Sequence, residues 1–182
     1  MELYEAIEKR RSVRIYKQGA SEEQLRKIIL AGSKAPSAAN RQPWEFIIVD
    51  DHKIVDQLAE LKYQQNRQIA PREGETQDDV ERKALYQKKS FANTSIVAVC
   101  NQTGHSDSAW LCIENMSLAT VADGLGSVIV SYWEKWLEEV EKILGIPEGF
   151  ELTCLMKFGF PGEEPSTPQR RTEFSWLHKN TF

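Results

Sequence analysis

Two short segments near the start of the chain constrain its fold and its chemistry more than any other feature. Residues 10–14 (RRSVR) gather three guanidinium groups around one hydroxyl, directly after an amphipathic stretch. Residues 35–44 (APSAANRQPW) form a loop pattern of small residues and amides that leads into the apolar run 46–49. Arginine binds phosphate oxygens through paired hydrogen bonds, and small residues let the backbone approach a ring closely. Together the segments indicate a site for a phosphate joined to a flat heteroaromatic ring.

Length and composition favour one globular domain. A chain of 182 residues can bury one core and is short for two, so we predict a single domain over residues 1–182. No stretch approaches the roughly eighteen apolar residues of a membrane span, and the N-terminus lacks the basic-then-apolar order of a secretory signal. We therefore expect a cytoplasmic protein that does not bind membranes. The net charge of −4 disfavours nucleic-acid binding, which needs a cationic face.

No residue pattern points to a metal or to a side-chain nucleophile. The cysteines Cys100, Cys112 and Cys154 are widely spaced among apolar neighbours, which predicts buried reduced thiols rather than a disulfide or zinc site. The adjacent carboxylates at 78–79 and 163–164 are typical of solvated charge runs. We assign no catalytic side chain and no metal ligand.

Hydrophobic periodicity predicts interleaved helices and strands without internal repeats. A first helix begins near Leu3 and ends at the arginines, and Ser21 with Gln24 forms a capping box that starts a second helix over about 21–34. Further helices are predicted over about 51–61, 106–123 and 136–144, and strands over 46–49, 95–100, 127–131 and 152–160.

Two segments depart from this regular pattern. Residues 62–90 turn polar and charged, which leaves three alternatives: a lid, a surface helix or a flexible insertion, each adding little core. Residues 161–182 are polar at first and apolar at the end, and we expect this tail to pack on a partner subunit because its apolar side chains need cover. The helix over 106–123 is apolar on more than one side, so it is either buried or faces another subunit.

Each motif on its own has an ordinary structural interpretation. An isolated arginine cluster is more often a solvated basic turn than a site. Residues 35–44 could simply connect a helix to a strand beneath a packed Trp44, and residues 124–127 (GLGS) could serve only as a helix C-cap. It is the order of the motifs along the chain that is specific.

That order resembles the nitroreductase family of FMN-dependent oxidoreductases. In the family an R-x-S-x-R segment follows the first helix, a P-S-x-x-N-x-Q-P-W segment follows the second, a long helix ends in G-L-G-S, and an arginine follows a G-x-P strand end. The resemblance extends over nearly the whole chain except 62–90. The matching segments lie at 10–14, 36–44, 124–127 and 159–161, followed by Arg170 and Arg171.

The resemblance implies an α+β fold, with a central mixed, mainly antiparallel sheet flanked by helices. It further implies an intertwined homodimer that holds one FMN at each of two interface sites. Arginines of the first motif, with Arg170 or Arg171, would hold the phosphate and the ribityl chain, Arg14 would reach the pyrimidine edge, and the loop motif would come from the other subunit. The implied cofactor-binding residues are Arg10, Arg11, Ser12, Arg14, Pro36, Ser37, Ala38, Asn40, Gln42, Ser131, Tyr132, Arg170 and Arg171.

The implied activity is a ping-pong hydride transfer from NAD(P)H through N5 of FMN to a nitro, quinone or similar small acceptor. One departure concerns Ser131 and Tyr132, which stand where many family members have two glycines. We expect their backbone to keep a contact with N5 and the Tyr132 ring to narrow the pocket. Two alternatives stay open: a same-fold flavoenzyme with other chemistry, such as a dehydrogenase of unsaturated compounds or a dehalogenase, and an FMN-binding module with little turnover.

Overall fold

Helices and strands interleave along the computed structural model, which describes residues 1–182. The α-helices are α1 (Leu3–Lys9), α2 (Glu22–Gly32), α3 (His52–Arg67), α4 (Gln77–Lys89), α5 (Ser106–Ala122) and α6 (Lys135–Leu144). The strands are β1 (Tyr16–Gly19), β2 (Trp44–Val49), β3 (Ser95–Gln102), β4 (Gly126–Val130) and β5 (Phe150–Pro161). A short 3-10 turn, Ala38–Asn40, lies between α2 and β2.

The five strands form one sheet in which every strand pair is antiparallel. β5 pairs with β3 and with β4, β3 pairs with β2, and β1 pairs with the C-terminal end of β5. One isolated bridge, between Ser12 and Ser127, is parallel. The antiparallel sheet flanked by helices confirms the predicted α+β fold class, and the parallel pairing implied by a mixed sheet is limited to this isolated bridge.

Two hydrophobic clusters lie on opposite faces of the sheet. Val97 and Val99 of β3 pack with side chains of α2 and α5, whereas Ile96, Ala98 and Cys100 pack with side chains of α3 and α6. Because successive strand residues point to opposite faces, β3 is buried on both sides. Double burial explains why this strand is a continuous apolar run in the sequence rather than an alternating one.

Helix ends with local sequence signals follow the prediction. The hydroxyl of Ser21 accepts the Gln24 N–H at 3.2 Å, and the Gln24 side chain accepts the Ser21 N–H at 2.8 Å, which completes the capping box. At the end of α6, Gly145 adopts a left-handed conformation with φ of 64°, which glycine takes without a steric penalty. The short strand β1 was not predicted, because its four residues carry no apolar alternation.

The segment 62–90 is the surface helix among the three predicted alternatives, but it contributes more to the interior than expected. Helix α3 continues to Arg67, and α4 begins with a second capping box in which Thr76 and Asp79 pair reciprocally. Lys62 and Gln65 are buried, as are Val80 and Ala84 of α4. The expectation of a negligible core contribution was wrong because polar side chains at the end of α3 are packed against the chain that follows β4.

Several large apolar side chains are exposed in a single copy of the chain. Helix α5 buries Met116 completely, yet Trp110 and Leu111 on its other side are 43% and 50% exposed. In the tail, which lacks regular structure, Phe174 and Leu177 are also exposed. None of the helices combines the length and apolar character needed to cross a membrane.

The three cysteines are buried free thiols, as predicted. Burial raises the pKa of Cys100 to about 11 and that of Cys112 to about 12. Since the thiolate is the reactive form, these groups are structural at neutral pH.

Lys157 is a buried cation in the middle of β5. Its ammonium group donates to the carbonyl of Ser90 at 2.9 Å, contacts the Ser90 hydroxyl, and lies 4.5 Å from the ring centre of Phe91. Ser90 is the C-cap of α4, where helix carbonyls favour a positive charge. Burial, and then the charges of Arg14 and Lys62, lower the pKa of Lys157 from 10.5 to about 7.

We predict that Lys157 makes the stability of the protein depend on pH. Between pH 7 and pH 10.5 the unfolded chain binds more protons than the folded chain at this position, so the free energy of unfolding rises with pH. Met at position 157 cannot titrate. Between pH 7 and pH 9, the free energy of unfolding of the wild type should therefore rise by roughly 2 kcal/mol relative to that of Lys157→Met. Urea unfolding at both pH values measures the difference, with the exposed Lys17→Met as control. If the difference in unfolding free energy between the wild type and Lys157→Met does not change with pH, the pKa of Lys157 is not lowered in the folded protein.

Candidate functional site

The first motif lines a cleft that we call the arginine cleft. Its walls are residues 10–12 and Arg14, with Tyr86 of α4 and the start of the tail including Glu163 and Arg170, around a volume of about 530 Å³. The cleft therefore brings together five of the predicted site residues. Arg170 lines it, whereas Arg171 points elsewhere and donates to the carbonyl of Ser175 at 3.3 Å.

The backbone after α1 is held against the start of β4, and this contact positions the arginines of the first motif. The N–H of Val13 donates to the carbonyl of Ser127 at 3.0 Å, and the Val13 side chain is buried. A β carbon at Gly126 would lie 2.7 Å from the Val13 side chain, so only glycine permits this approach. Val13 is buried, whereas its neighbours Ser12 and Arg14 both line the cleft.

The arginines of the cleft retain most of their capacity to bind an anion. Arg10 faces Glu114 at 3.8 Å, whereas Arg14 and Arg170 form no ion pair. The guanidinium of Arg11 donates to the carbonyls of Glu8 and Arg10, at 2.5 and 2.8 Å. These contacts leave several N–H groups of the cleft arginines without an acceptor, and an oxyanion in the cleft could accept them.

Glu163 is a site residue that sequence reasoning missed. Its carboxylate accepts the backbone N–H groups of Arg14 at 2.6 Å and Ile15 at 3.2 Å, and the Tyr86 hydroxyl donates to its other oxygen at 3.2 Å. The interpretation of residues 163–164 as a solvated charge run was therefore wrong for Glu163. Its partners lie between 77 and 149 residues away in sequence, so no local sequence signal marks the contact.

A second cavity lies beside β4 and shares Arg14 with the arginine cleft, and we call it the polar pocket. It has a volume of about 240 Å³ and is lined by Arg14, Lys62, Asn66, Gln87 and residues 128–131. Arg14 lines both cavities. Arg14 therefore lies between a cationic recess and a smaller cavity that is lined by amide side chains and by residues of β4.

Lys62, Asn66 and Gln87 were also missed by sequence reasoning, because they lie in the segment that matched no motif. Lys62 is 8% exposed, and its burial lowers the pKa to about 8. The only available signal was helical spacing: Lys62 and Asn66 are four residues apart and so share one face of α3.

The expectation that the Tyr132 ring narrows the pocket was wrong. The ring packs in the hydrophobic cluster beneath α3 and α6, and its hydroxyl donates to the carbonyl of Leu58 at 2.7 Å. Burial raises the pKa of this hydroxyl. The backbone at Ser131 lines the polar pocket, but the Tyr132 side chain points into the core because that burial is favourable for an aromatic ring.

The second motif forms a strained loop away from these cavities. Ala39, Asn40 and Gln42 have positive φ values of 50°, 54° and 49°, and the Ser37 hydroxyl accepts the Gln42 N–H at 2.9 Å. In one copy of the chain, none of the predicted loop residues lines the arginine cleft or the polar pocket. Those residues are Pro36, Ser37, Ala38, Asn40 and Gln42.

A larger groove of about 1160 Å³ lies between α2, β2, α3 and the residues that precede β3. It contains none of the predicted site residues and mixes acidic and basic side chains, including Glu60 and Lys88, which form an ion pair at 2.6 Å. Size alone therefore does not identify the functional cavity. The arginine cleft is the better candidate because it groups cationic side chains that can bind an anion.

Comparison with known proteins agrees with the resemblance to the nitroreductase family. The sequence profile of the nitroreductase family matches residues 7–160. An iodotyrosine deiodinase from Thermotoga neapolitana is 28% identical, with 99% of this chain and 98% of the relative aligned. An NADH dehydrogenase from Thermus thermophilus is 30% identical over 86% of this chain and 85% of its own. The crystal structure of an oxidised iodotyrosine deiodinase bound to FMN and 3-iodo-L-tyrosine superposes with a TM-score of 0.82 at 27% identity, covering all of both chains.

Proposed function

Because the chain belongs to the nitroreductase family, we propose that it binds FMN and acts as an oxidoreductase that takes hydride from NAD(P)H and passes it to a nitro, quinone or similar small acceptor. The observation that carries the proposal is that Arg14 lines both the arginine cleft and the polar pocket. A cationic recess suits a phosphate, and the adjoining amide-edged space suits the polar edge of a flat ring.

The residues present fit FMN. Arg10, Ser12 and Arg170 would hold the phosphate and the ribityl chain, because their donors surround the cleft. Asn66 and Gln87 carry both donors and acceptors, which match the alternating groups of a pyrimidine edge. When bound, the flavin would supply the hydride chemistry, while the protein supplies orientation and electrostatics.

Arg14 has the central electrostatic role in this proposal. It lies where the cleft meets the polar pocket and forms no ion pair with a carboxylate. A guanidinium at this point would stabilise negative charge on the pyrimidine edge, since a fixed cation in a partly buried site acts without reorganisation. No side-chain acid is required for hydride transfer, in agreement with the absence of an assigned catalytic side chain.

We further propose that the site is completed by a second copy of the chain. The loop that contains Ser37 and Asn40 is exposed and lies outside the cleft, and α5 exposes Trp110 and Leu111. Strand β2 forms one edge of the sheet, beside an apolar groove that includes Leu30 and Phe46. A homodimer would cover these surfaces, deliver the partner's loop motif to the cleft, and give the apolar tail a surface on which to pack.

Reductive dehalogenation of a halophenol is the second candidate function. Its support is the full-length likeness, at 27% identity, to the structure of an iodotyrosine deiodinase bound to FMN and 3-iodo-L-tyrosine. In this chain the wall of the polar pocket is formed by α3 and α4, so a phenol would enter beside Asn66 and Gln87.

The proposed function predicts a yellow protein with about one FMN per chain. Under argon, NADH or NADPH should bleach the flavin absorbance, and a quinone or nitroarene should restore it. Chromatography of the extracted chromophore identifies the cofactor, and release of iodide from 3-iodo-L-tyrosine would favour the second candidate. A protein that takes up no FMN would overturn both functions, and bound FMN that neither nicotinamide reduces would indicate a module without turnover.

We predict that Arg10→Ala and Arg14→Ala each weaken FMN binding about tenfold or more without unfolding the chain. A hydrogen bond to a charged group is worth roughly 1.5–3 kcal/mol, and about 1.4 kcal/mol corresponds to a factor of ten in affinity. Titration of apoprotein with FMN measures the effect. Arg26→Ala, which removes an exposed arginine paired with Glu22 on α2, is the matched control. Equal affinity in all three variants would show that the cluster is a solvated turn.

We predict that variants damaged in different motifs complement each other. In a mixed dimer of Arg10→Ala and Asn40→Ala chains, one site carries both changes and the other carries neither, provided that the two motifs come from opposite chains. FMN binding and NAD(P)H oxidation should therefore recover partly after subunit exchange. If exchange is demonstrated by mass spectrometry and nothing recovers, the shared-site arrangement is wrong.

A further inference from the structure

One buried cation of the polar pocket has no carboxylate partner. Lys62 is 8% exposed, lies on α3, and forms no salt bridge. Its only hydrogen bond is to the carbonyl of Ser131, at 2.8 Å, so the remaining N–H groups of the ammonium are unpartnered beside the pocket. Burial of an ammonium is costly unless something nearby stabilises it, and the faces of Trp133 at 4.9 Å and Tyr132 at 5.4 Å supply part of that stabilisation.

Gln65, one turn further along α3, contacts the same stretch of backbone. It is 1% exposed. Its amide nitrogen lies 3.4 Å from the Ser131 carbonyl, and its amide oxygen accepts the Trp133 N–H at 3.2 Å. With the Tyr132 hydroxyl bound to the carbonyl of Leu58, three residues of α3 hold residues 131–133.

These contacts fix the orientation of one peptide group. In a trans peptide the C=O and the following N–H point in opposite directions, and the chain has no cis peptide. Lys62 and Gln65 draw the Ser131 carbonyl toward α3, so the N–H of Tyr132 points away from it. This N–H has no acceptor in the protein, which leaves it free to donate to a ligand at the edge formed by Ser131.

We propose that Lys62 is a positioning and electrostatic residue for the hydride-carrying edge of the flavin. With Gln65 it holds the Ser131–Tyr132 peptide in the orientation in which the Tyr132 N–H would make the N5 contact that the resemblance implies, and its own charge would lie near that edge. This inference rests on the proposed function. It assigns to α3 a role distinct from that of Arg14, which faces the pyrimidine edge.

The charge of Lys62 favours the reduced cofactor over the oxidised one, whereas a donor to N5 favours the oxidised form, in which N5 is an acceptor. We expect the charge to dominate because Lys62 is buried without a counter-ion. Reduction increases the electron density of the flavin, and a cation in a site from which water is excluded interacts with it strongly. Lys62 should therefore strengthen binding of reduced FMN more than binding of oxidised FMN. A residue that only supports the fold would affect both forms equally.

The test is the ratio of the two dissociation constants, obtained from FMN titration and from the midpoint potential of the bound flavin. We expect Lys62→Met to raise the Kd of reduced FMN about tenfold more than that of oxidised FMN, equivalent to a fall in potential of about 30 mV for a two-electron couple. Lys62→Gln keeps a donor to the Ser131 carbonyl but loses the charge, and should lower the potential in the same direction. Lys62→Arg should restore it.

Lys53→Met, an exposed lysine on the same helix, is the matched control. The inference is overturned if Lys62→Met or Lys62→Gln shifts the potential no more than this control, or if both forms of FMN are weakened equally. If Lys62→Met does not fold, the Gln and Arg variants decide the question on the same criterion. A wild-type protein that binds no FMN overturns the proposed function itself, whereas normal FMN binding with an unchanged ratio overturns only the role of Lys62.

Discussion

A single backbone contact, between the segment after α1 and the start of β4, organises the cavities. The buried Val13 is held there both by Ser127 and by Tyr16, whose hydroxyl donates to the Val13 carbonyl at 2.5 Å. The flanking polar residues Ser12 and Arg14 line the cleft while Val13 is buried. The position of Arg14 at the junction of cleft and pocket therefore follows from core packing at Val13, together with the Glu163 carboxylate that accepts the Arg14 N–H.

The parts of the structure that the sequence predicts well are those specified by neighbouring residues. The capping box at Ser21 and the glycine that ends α6 act within one helical turn, so their residue types are sufficient. The burial of Lys62 and the contacts of Glu163 depend on partners 69 and 149 residues away in sequence. Such contacts follow from the sheet topology, which no local pattern encodes. The orientation of Tyr132 belongs to the same class, because it depends on which face of β4 meets α3.

The two motifs that identify the family differ in how the chain supports them. The arginine segment is anchored in the core, whereas the loop motif holds three non-glycine residues in the left-handed region while largely exposed. Each such residue costs roughly 1–3 kcal/mol unless the surroundings stabilise it. Within one copy of the chain, the hydrogen bonds among Ser37, Asn40 and Gln42 are the main compensation. A loop of this kind fits the proposed arrangement, in which a second copy of the chain would stabilise it.

Helix α4 has a different relation to the core. Residues of the helix and its N-cap form the capping box, and Val80 and Ala84 are its buried side chains. The ion pair between Lys88 of this helix and Glu60 is exposed, and an exposed ion pair contributes little to stability. Yet Tyr86 and Gln87 on this helix edge the cleft and the pocket. Substitutions there can reshape the cavity wall while the free energy of folding changes little. If the proposed function holds, this helix is the part of the molecule in which new acceptor preferences can arise by mutation, while the arginine segment stays fixed by the core.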